Sequence, residues 1–291
     1  NMIKKGIILA GGLGTRMSPL TKAVNKQLLP LYDKPLIYYP LSILMLAGIR
    51  NILIIVNKGQ KKQFEKILPQ INNLGIKINY AEQNKPNGLP EAFIIGESFI
   101  GKDNVCLILG DNFFYGQNLS KMLIESTKLK KGAKIFLHPV KKPSSYGVAK
   151  INKKNKVLSL VEKPQKFFSR LAVTGIYFFD NKVINLAKKL KPSKRKELEI
   201  IDLLNLYRRK NILSAKLIGR GGSWLDAGSI DDLNNASNYV ATIEDRQGLK
   251  VGCIEEIAFK KRWISKSHLK NLIKEYGNCE YSSYLKKLLN E

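Results

Sequence analysis

Cysteine and histidine are scarce in this chain: three of one and two of the other among 291 residues. Cys106, Cys253 and Cys279 are odd in number and far apart. This argues against a disulfide framework or a zinc site and for a reducing, cytoplasmic setting. His138 lies in an apolar run beside Pro139, and His268 in a lysine-rich stretch. Neither has the neighbours of a catalytic base, and no Ser-His-Asp arrangement is present. Long apolar runs are also missing. None reaches the length of a membrane span, and the first residues lack the apolar core of a secretory signal. No internal repeat and no low-complexity linker divides the chain. A hydrophobic fraction of 44% over this length suffices for a large core, expected as one α/β domain.

Acidic residues are few. Asp and Glu number 23 against 50 Lys and Arg, a formal charge of +27. Such a balance would suit a nucleic-acid binder, through counterion release. The positive residues, however, are spread along the chain in pairs such as Lys61-Lys62, Lys153-Lys154 and Lys188-Lys189. They lack the interleaved aromatics of a single-strand platform, and no recognition-helix pattern accompanies them. The charge reads as a solvated lysine-rich surface with no specific nucleic-acid partner. Its field would still draw in small phosphate-bearing molecules.

What is present begins near the N-terminus. The run Gly6–Ala10 reads as a buried strand, and Gly11-Gly12-Leu13-Gly14-Thr15-Arg16 follows it. Glycines let a chain turn sharply and bring its N–H groups against an anion. Arg16 and, a short loop later, Lys26 would neutralise that anion. The spacing is not that of a P-loop, which needs Lys and Ser or Thr after its second glycine. Nor is it a dinucleotide fingerprint, because Met17 stands at the third glycine position. On the loop alone, a plain turn and a polyphosphate grip both stay open.

Strand-like segments (Gly6–Ala10, Ile52–Val56, Ile76–Tyr80, Val105–Leu109, Ile135–Pro139) alternate with helix-like ones (Leu36–Ala47, Gln60–Ile67, Leu89–Phe99, Leu119–Leu129). This predicts a Rossmann-like α/β fold with a mixed, mainly parallel sheet flanked by helices. Ligands of such sheets bind outside the carboxyl ends of the strands, where the glycine loop and Asp111 both fall. Tyr146–Ile151, Val157–Glu162 and Val173–Phe179 read as a more antiparallel insertion. Helices are expected near Asn181–Leu190 and Ile200–Arg208, and a strand at Ser214–Ile218. From Ser229 the chain reads as a small helical subdomain. The expected parts are about 1–112, 113–228 and 229–291.

The run Lys26-Gln27-Leu28-Leu29-Pro30-Leu31-Tyr32-Asp33-Lys34-Pro35-Leu36-Ile37-Tyr38-Tyr39-Pro40-Leu41-Ser42 resembles the sugar-1-phosphate nucleotidylyltransferases, and among them the thymidylyl branch. The resemblance continues through Tyr80-Ala81-Glu82-Gln83, Gly88-Leu89, Leu109-Gly110-Asp111-Asn112, Tyr146-Gly147-Val148, Glu162-Lys163-Pro164, Val173-Thr174-Gly175 and Trp224-Leu225-Asp226. It implies a Mg²⁺-dependent joining of dTTP to glucose 1-phosphate, giving dTDP-glucose and pyrophosphate. That reaction opens the route to dTDP-sugars such as dTDP-rhamnose. The chemistry suits a chain poor in histidine. A phosphate monoester has a second pKa of about 6, so the attacking sugar phosphate is already an anion and needs no general base. The task is to bring two polyanions together and to stabilise the leaving pyrophosphate, with cations, a metal and in-line positioning.

The resemblance also implies roles for single residues. Leu9, Gly11, Gly12, Gly14, Thr15, Arg16, Gln27, Gln83 and Gly88 would bind the nucleotide. Arg16, with Lys26 assisting, would neutralise the β and γ phosphates. Gln83 carries a donor and an acceptor for the edge of thymine or uracil, and Gly88 lets the backbone approach the base. Asp111, Tyr146, Gly147, Glu162, Lys163, Val173 and Thr174 would form the sugar-phosphate side. There Lys163 holds the phosphate and Glu162 accepts from hydroxyls. Asp111, which by itself reads more readily as a helix cap, and Asp226 are the implied Mg²⁺ ligands. Two carboxylates suit a cation that keeps several waters and takes phosphate oxygens. A homotetramer, and inhibition by a dTDP-sugar at a second site near Gly116, Arg220 and Glu256, are implied as well. The chain departs from the family pattern at Pro90-Glu91 near the base loop, at Ile201 and at Ala227, but at no charged catalytic position. The alternatives are a UTP-dependent or other sugar-phosphate enzyme and a non-catalytic scaffold that binds RNA. The scaffold would be expected to have lost Arg16, Lys163 or an aspartate.

Overall fold

The computed structural model describes residues 2–68 and 73–290. The chain opens with β1 (Lys5–Ala10), then the short hairpin ladder of β2 (Pro30–Leu31) and β3 (Lys34–Pro35), and α1 (Tyr38–Leu46). Next come β4 (Asn51–Asn57), α2 (Lys61–Ile67), β5 (Lys77–Gln83), α3 (Glu91–Ile95), α4 (Glu97–Ile100), β6 (Val105–Leu109), β7 (Asn112–Gly116) and α5 (Leu119–Thr127). The middle region supplies β8 (Ala133–Pro139), β9 (Gly147–Ile151), β10 (Val157–Glu162), β11 (Leu171–Phe179), α6 (Val183–Lys188), α7 (Ile200–Arg209), β12 (Leu213–Leu217) and β13 (Gly222–Asp226). Four helices finish the chain: α8 (Ile230–Gln247), α9 (Ile254–Lys260), α10 (Lys266–Tyr276) and α11 (Glu280–Leu288).

Among the described residues, nine strands form the central sheet in the order β10-β9-β11-β6-β1-β4-β5, with β8 paired to β11 and β12 to β8. β6, β1, β4 and β5 run parallel, while β11 and β10 pair antiparallel to their neighbours. This is the expected mixed sheet. The edge strand β5 is mostly half-buried and carries polar residues, whereas β1, β4 and β6 read as largely unbroken apolar runs because both faces are covered. Period-two alternation divides them between two cores. Ile8, Ile52, Ile54 and Ile108 enter one core, with α1, α5 and α9 to α11. Ile7, Leu53, Ile55 and Leu107 enter the other, with α3, α4, α6 and α7.

Two expected helices are shorter or broken. The segment predicted as Leu89–Phe99 forms two short helices that meet at Gly96. A Cβ there would lie 2.9 Å from the Ala92 carbonyl oxygen and 3.0 Å from the Ile7 side chain. Glycine thus lets this segment sit close on the sheet. The helix predicted from Leu36 begins only at Tyr38, because the Leu36 and Ile37 amides donate back to Leu29 and Gln27 carbonyls at 2.9 and 2.8 Å. The antiparallel pair β7–β13 was not expected at all, and it proves central to the site. Among the described residues, no helix is long and apolar enough to cross a membrane.

Candidate active site

The carboxyl ends of β1, β4, β5 and β6 share one edge of the sheet. The glycine loop, Asn57, Gln83 and Asp111 therefore meet there. The loop is pinned: the Gly12 amide donates to Asn57 Oδ1 at 2.9 Å, and Asn57 Nδ2 donates to the Gly12 carbonyl at 2.8 Å. Gly12 and Gly14 adopt positive φ of 102° and 61°, conformations open to glycine at little cost. A Cβ on Gly11 would lie 2.4 Å from Gln83 Oε1, so a side chain there would push that amide aside.

Two cavities of about 280 and 290 Å³ open at this edge and share Leu89, Glu162, Lys163 and Ile200 in their walls. Leu9, Gly11, Gly12, Gln83, Gly88 and Arg195 line the first. Arg16, Asp111, Tyr146, Gly147, Val173 and Asp226 line the second. Lys163 thus stands at the junction. Its φ of 41° is unusual for a residue with a side chain and costs roughly 1–2 kcal/mol. The Lys163 amide donates to the Tyr146 carbonyl at 3.1 Å, and β10 pairs Glu162 with Gly147.

Asp111 and Asp226 are far apart in sequence and converge through the β7–β13 ladder. Asp226 faces Asn112 in register, and the Ala227 amide donates to the Asp111 carbonyl at 2.9 Å. Asn112 is the knot. Its Oδ1 accepts from the Gly175 amide at 3.0 Å and from Trp224 Nε1 at 2.5 Å, and its Nδ2 donates to Asp111 Oδ1 at 3.0 Å. Lys26 forms an ion pair with the other Asp111 oxygen. Burial works to raise the Asp111 carboxyl. The Lys26 ammonium, with hydrogen bonds from Lys26 and Asn112, outweighs it and holds the group below the usual carboxylate range. Asp226 goes the other way: burial first, then repulsion from Asp111, pushes it up to about 7 against the pull of Lys26 and Arg16. The Arg16 guanidinium and the Asp226 carboxylate flank Gly228, at 3.1 and 3.2 Å from where its Cβ would be.

This pair fits a hard divalent cation. Both ligands are carboxylate oxygens, and their mutual repulsion is what a cation relieves. Among the described residues, no group of three or more His, Cys, Asp or Glu could hold a metal ion. Any cation here would therefore complete its shell with water and phosphate oxygens, as Mg²⁺ does and structural Zn²⁺ does not.

Several expected residues are placed otherwise than their assigned roles suggest. Lys26 is engaged with Asp111 rather than free for a phosphate. Gln27 is buried, its side chain against Gly110, and its Oε1 has no hydrogen-bond partner among the described residues. Gly14 and Thr15 lie outside both cavity walls. Thr174 turns its hydroxyl to the Phe136 carbonyl at 3.0 Å, leaving the lining to Val173 and Gly175. Gly88 lines the first cavity, and its lack of a side chain is needed for packing: a Cβ would lie 2.1 Å from the Leu198 carbonyl oxygen. Gly116 and Glu256 line a separate cavity of about 310 Å³ with Lys250 and Lys261. Arg220 is not in that wall, although Gly222, two residues on, pairs with Gly116.

Two residues were missed. Arg195 lines the first cavity, donating to Glu199 at 2.6 Å and to Glu162 at 3.2 Å. Burial and the neighbouring Glu199 raise the Glu162 carboxyl, against Arg195 and Lys163. Lys194-Arg195-Lys196 reads in sequence as another surface charge run, and only the acidic Glu197 and Glu199 after it hint at a tethered role. Glu91, noted only as a departure, accepts from the Gln83 side chain.

A family model described as nucleotidyl transferase matches residues 5–243. A glucose-1-phosphate thymidylyltransferase of Neisseria meningitidis serogroup A is 48% identical over 287 residues, 99% of this chain and 100% of the relative. A Bacillus anthracis structure, described as a glucose-1-phosphate thymidylyltransferase in complex with sucrose, superposes with a TM-score of 0.74 at 39% identity. It covers 81% of this chain and 94% of its own. A UDP-glucose pyrophosphorylase solved with UDP-glucose gives a TM-score of 0.73 at 28% identity, covering 83% and 100%.

Proposed function

The chain belongs to the nucleotidyl transferase family, and on that footing we propose that it transfers a thymidylyl group from dTTP to α-D-glucose 1-phosphate, releasing pyrophosphate and forming dTDP-glucose. The observation that carries this reading is the joining of two cavities at Lys163: a glycine loop and Gln83 on one side, a sugar-sized recess with two carboxylates on the other. The base lies toward Gln83 and Gly88, and the sugar toward Tyr146, Gly147, Glu162 and Val173. Lys163 holds the sugar phosphate between them and presents one of its oxygens in line to the α-phosphorus. A new P–O bond forms as the bond to the β-phosphate breaks, and pyrophosphate departs with its electron pair toward Arg16. Arg195, on the nucleotide side, adds positive charge near the same junction. Asp111 and Asp226 would hold Mg²⁺, which supplies charge neutralisation to the phosphates when bound. Lys26 keeps Asp111 ionised and oriented.

Thymine and uracil present the same edge to Gln83, so UTP is the second reading, in keeping with the UDP-glucose pyrophosphorylase likeness. Assays of pyrophosphate release over dTTP, UTP, dCTP and dATP, each with glucose 1-phosphate, decide between them. The expected order places dTTP first. Turnover with none of these would overturn the reading. We extend the proposal to a homotetramer and to a regulatory dTDP-sugar site at the Gly116–Glu256 cavity, with the reaction placed in the cytoplasm as an early step of dTDP-sugar synthesis.

A further inference from the structure

Gln83 is 3% exposed, and its amide could in principle face either way. Its surroundings decide. Gln83 Nε2 donates to Glu91 Oε2, and Glu91 is itself held by Asn87, whose Nδ2 donates to Oε1 at 2.7 Å and whose backbone amide donates to Oε2 at 3.4 Å. A carboxylate only accepts hydrogen bonds. Beside the Glu91 carboxylate, which accepts from Gln83 and Asn87, the amide nitrogen faces that side and Oε1 faces the glycine loop. This is where Oε1 stands, 2.4 Å from the position a Cβ on Gly11 would take.

Resting on the reading of this cavity as the base pocket, we infer that Glu91 is a specificity-positioning residue: it locks the Gln83 amide so that an acceptor faces the base, which selects thymine or uracil against cytosine. Thymine and uracil carry an N3–H donor next to the O4 acceptor. Cytosine carries the reverse, an N3 lone pair next to the N4 amino donor. A free glutamine can satisfy either pattern by rotating about its last bond. A glutamine tethered by a carboxylate can satisfy only the first, and cytosine would then set two acceptors against each other. A glutamine at position 91 would remove the lock, since its amide both donates and accepts.

The test uses the full-length protein with Glu91→Gln and Glu91→Ala, each checked by thermal melting. Dissociation constants for dTTP, UTP and dCTP are measured by calorimetry, and kcat/KM for the same triphosphates with glucose 1-phosphate. Both variants should lose about tenfold or more of the preference for dTTP over dCTP, mainly in binding, with the dTTP-to-UTP ratio unchanged. Asn87→Ala, which loosens Glu91 without removing it, should shift the same ratio by less. Unchanged discrimination against dCTP in folded Glu91→Gln and Glu91→Ala would overturn the inference. Wild-type protein that binds dTTP but transfers nothing would instead count against the catalytic reading, and the binding ratios would still judge Glu91.

Discussion

Arg16 and Lys163 place positive charge on different walls of one junction, and their losses should differ from losses of folding. On the proposed function, Arg16→Ala or Lys163→Ala removes a cation aimed at phosphate charge and should lower kcat/KM by about 10²–10⁴. Thermal melting should stay near that of the parent, because both side chains face the cavities. Turnover near wild type in either variant would contradict their roles. Asp226 supports a prediction on stability. Its carboxyl is raised from 3.8 to about 7. Between these values the folded chain keeps a proton that the unfolded chain has lost, so this group's contribution to stability falls as pH rises through that interval. Metal-free Asp226→Asn should therefore gain on the parent as pH climbs from about 4 to about 7, read by denaturant unfolding. A gap that does not change with pH would show that the group is not raised. At this scale Arg16 and Asp111 were readable through the family resemblance only, since the glycine loop alone left a plain turn open and Asp111 alone reads as a helix cap. Arg195 was not legible, because an arginine among lysines carries no mark of the cavity it will line. Lys26 was legible as a cation but not as the partner of Asp111, a pairing that only the fold creates.

The β7–β13 ladder is the element on which the site depends. Asn112 ties it to β11 through Gly175 and holds Trp224 from within the pair. Asn112→Ala would leave two buried donors without an acceptor and Asp111 Oδ1 without its Asn112 donor, the Lys26 pair at the other oxygen remaining. The expected cost is about 1–3 kcal/mol per orphaned group, with a loss of activity beyond that of an equally destabilised core variant. A fall in melting temperature with kinetics intact would mean that Asn112 only supports the fold. These strands escaped the sequence because, among the described residues, they pair only with each other, and β7 ends and β13 begins in glycine: a Cβ on Gly116 would lie 2.6 Å from Gly222 Cα. The buried parallel strands were legible for the opposite reason, since two-sided burial writes itself as unbroken Ile, Leu and Val. Gly96 explains the broken helix: its period reads as one helix, and its close approach to Ile7 makes it two.

Across the whole molecule the formal charge is +27, and both proposed substrates are polyanions. Their encounter with the site should be steered, so kcat/KM should fall several-fold between about 50 and 500 mM salt while kcat changes little. An association step insensitive to salt would leave the charge without a part in catalysis. The fold class was open to reading because strands and helices alternate. The meeting of Asp111 with Asp226 was not, because it depends on a ladder closed across half the chain. The central claim is that an already ionised sugar phosphate attacks the α-phosphorus of the triphosphate. It is tested most directly by incubating the protein with dTTP, Mg²⁺ and glucose 1-phosphate labelled with ¹⁸O in its phosphate, then weighing both products by mass spectrometry. The account predicts dTDP-glucose retaining all of the label and pyrophosphate carrying none. Label in the pyrophosphate, or no dTDP-glucose, would contradict it.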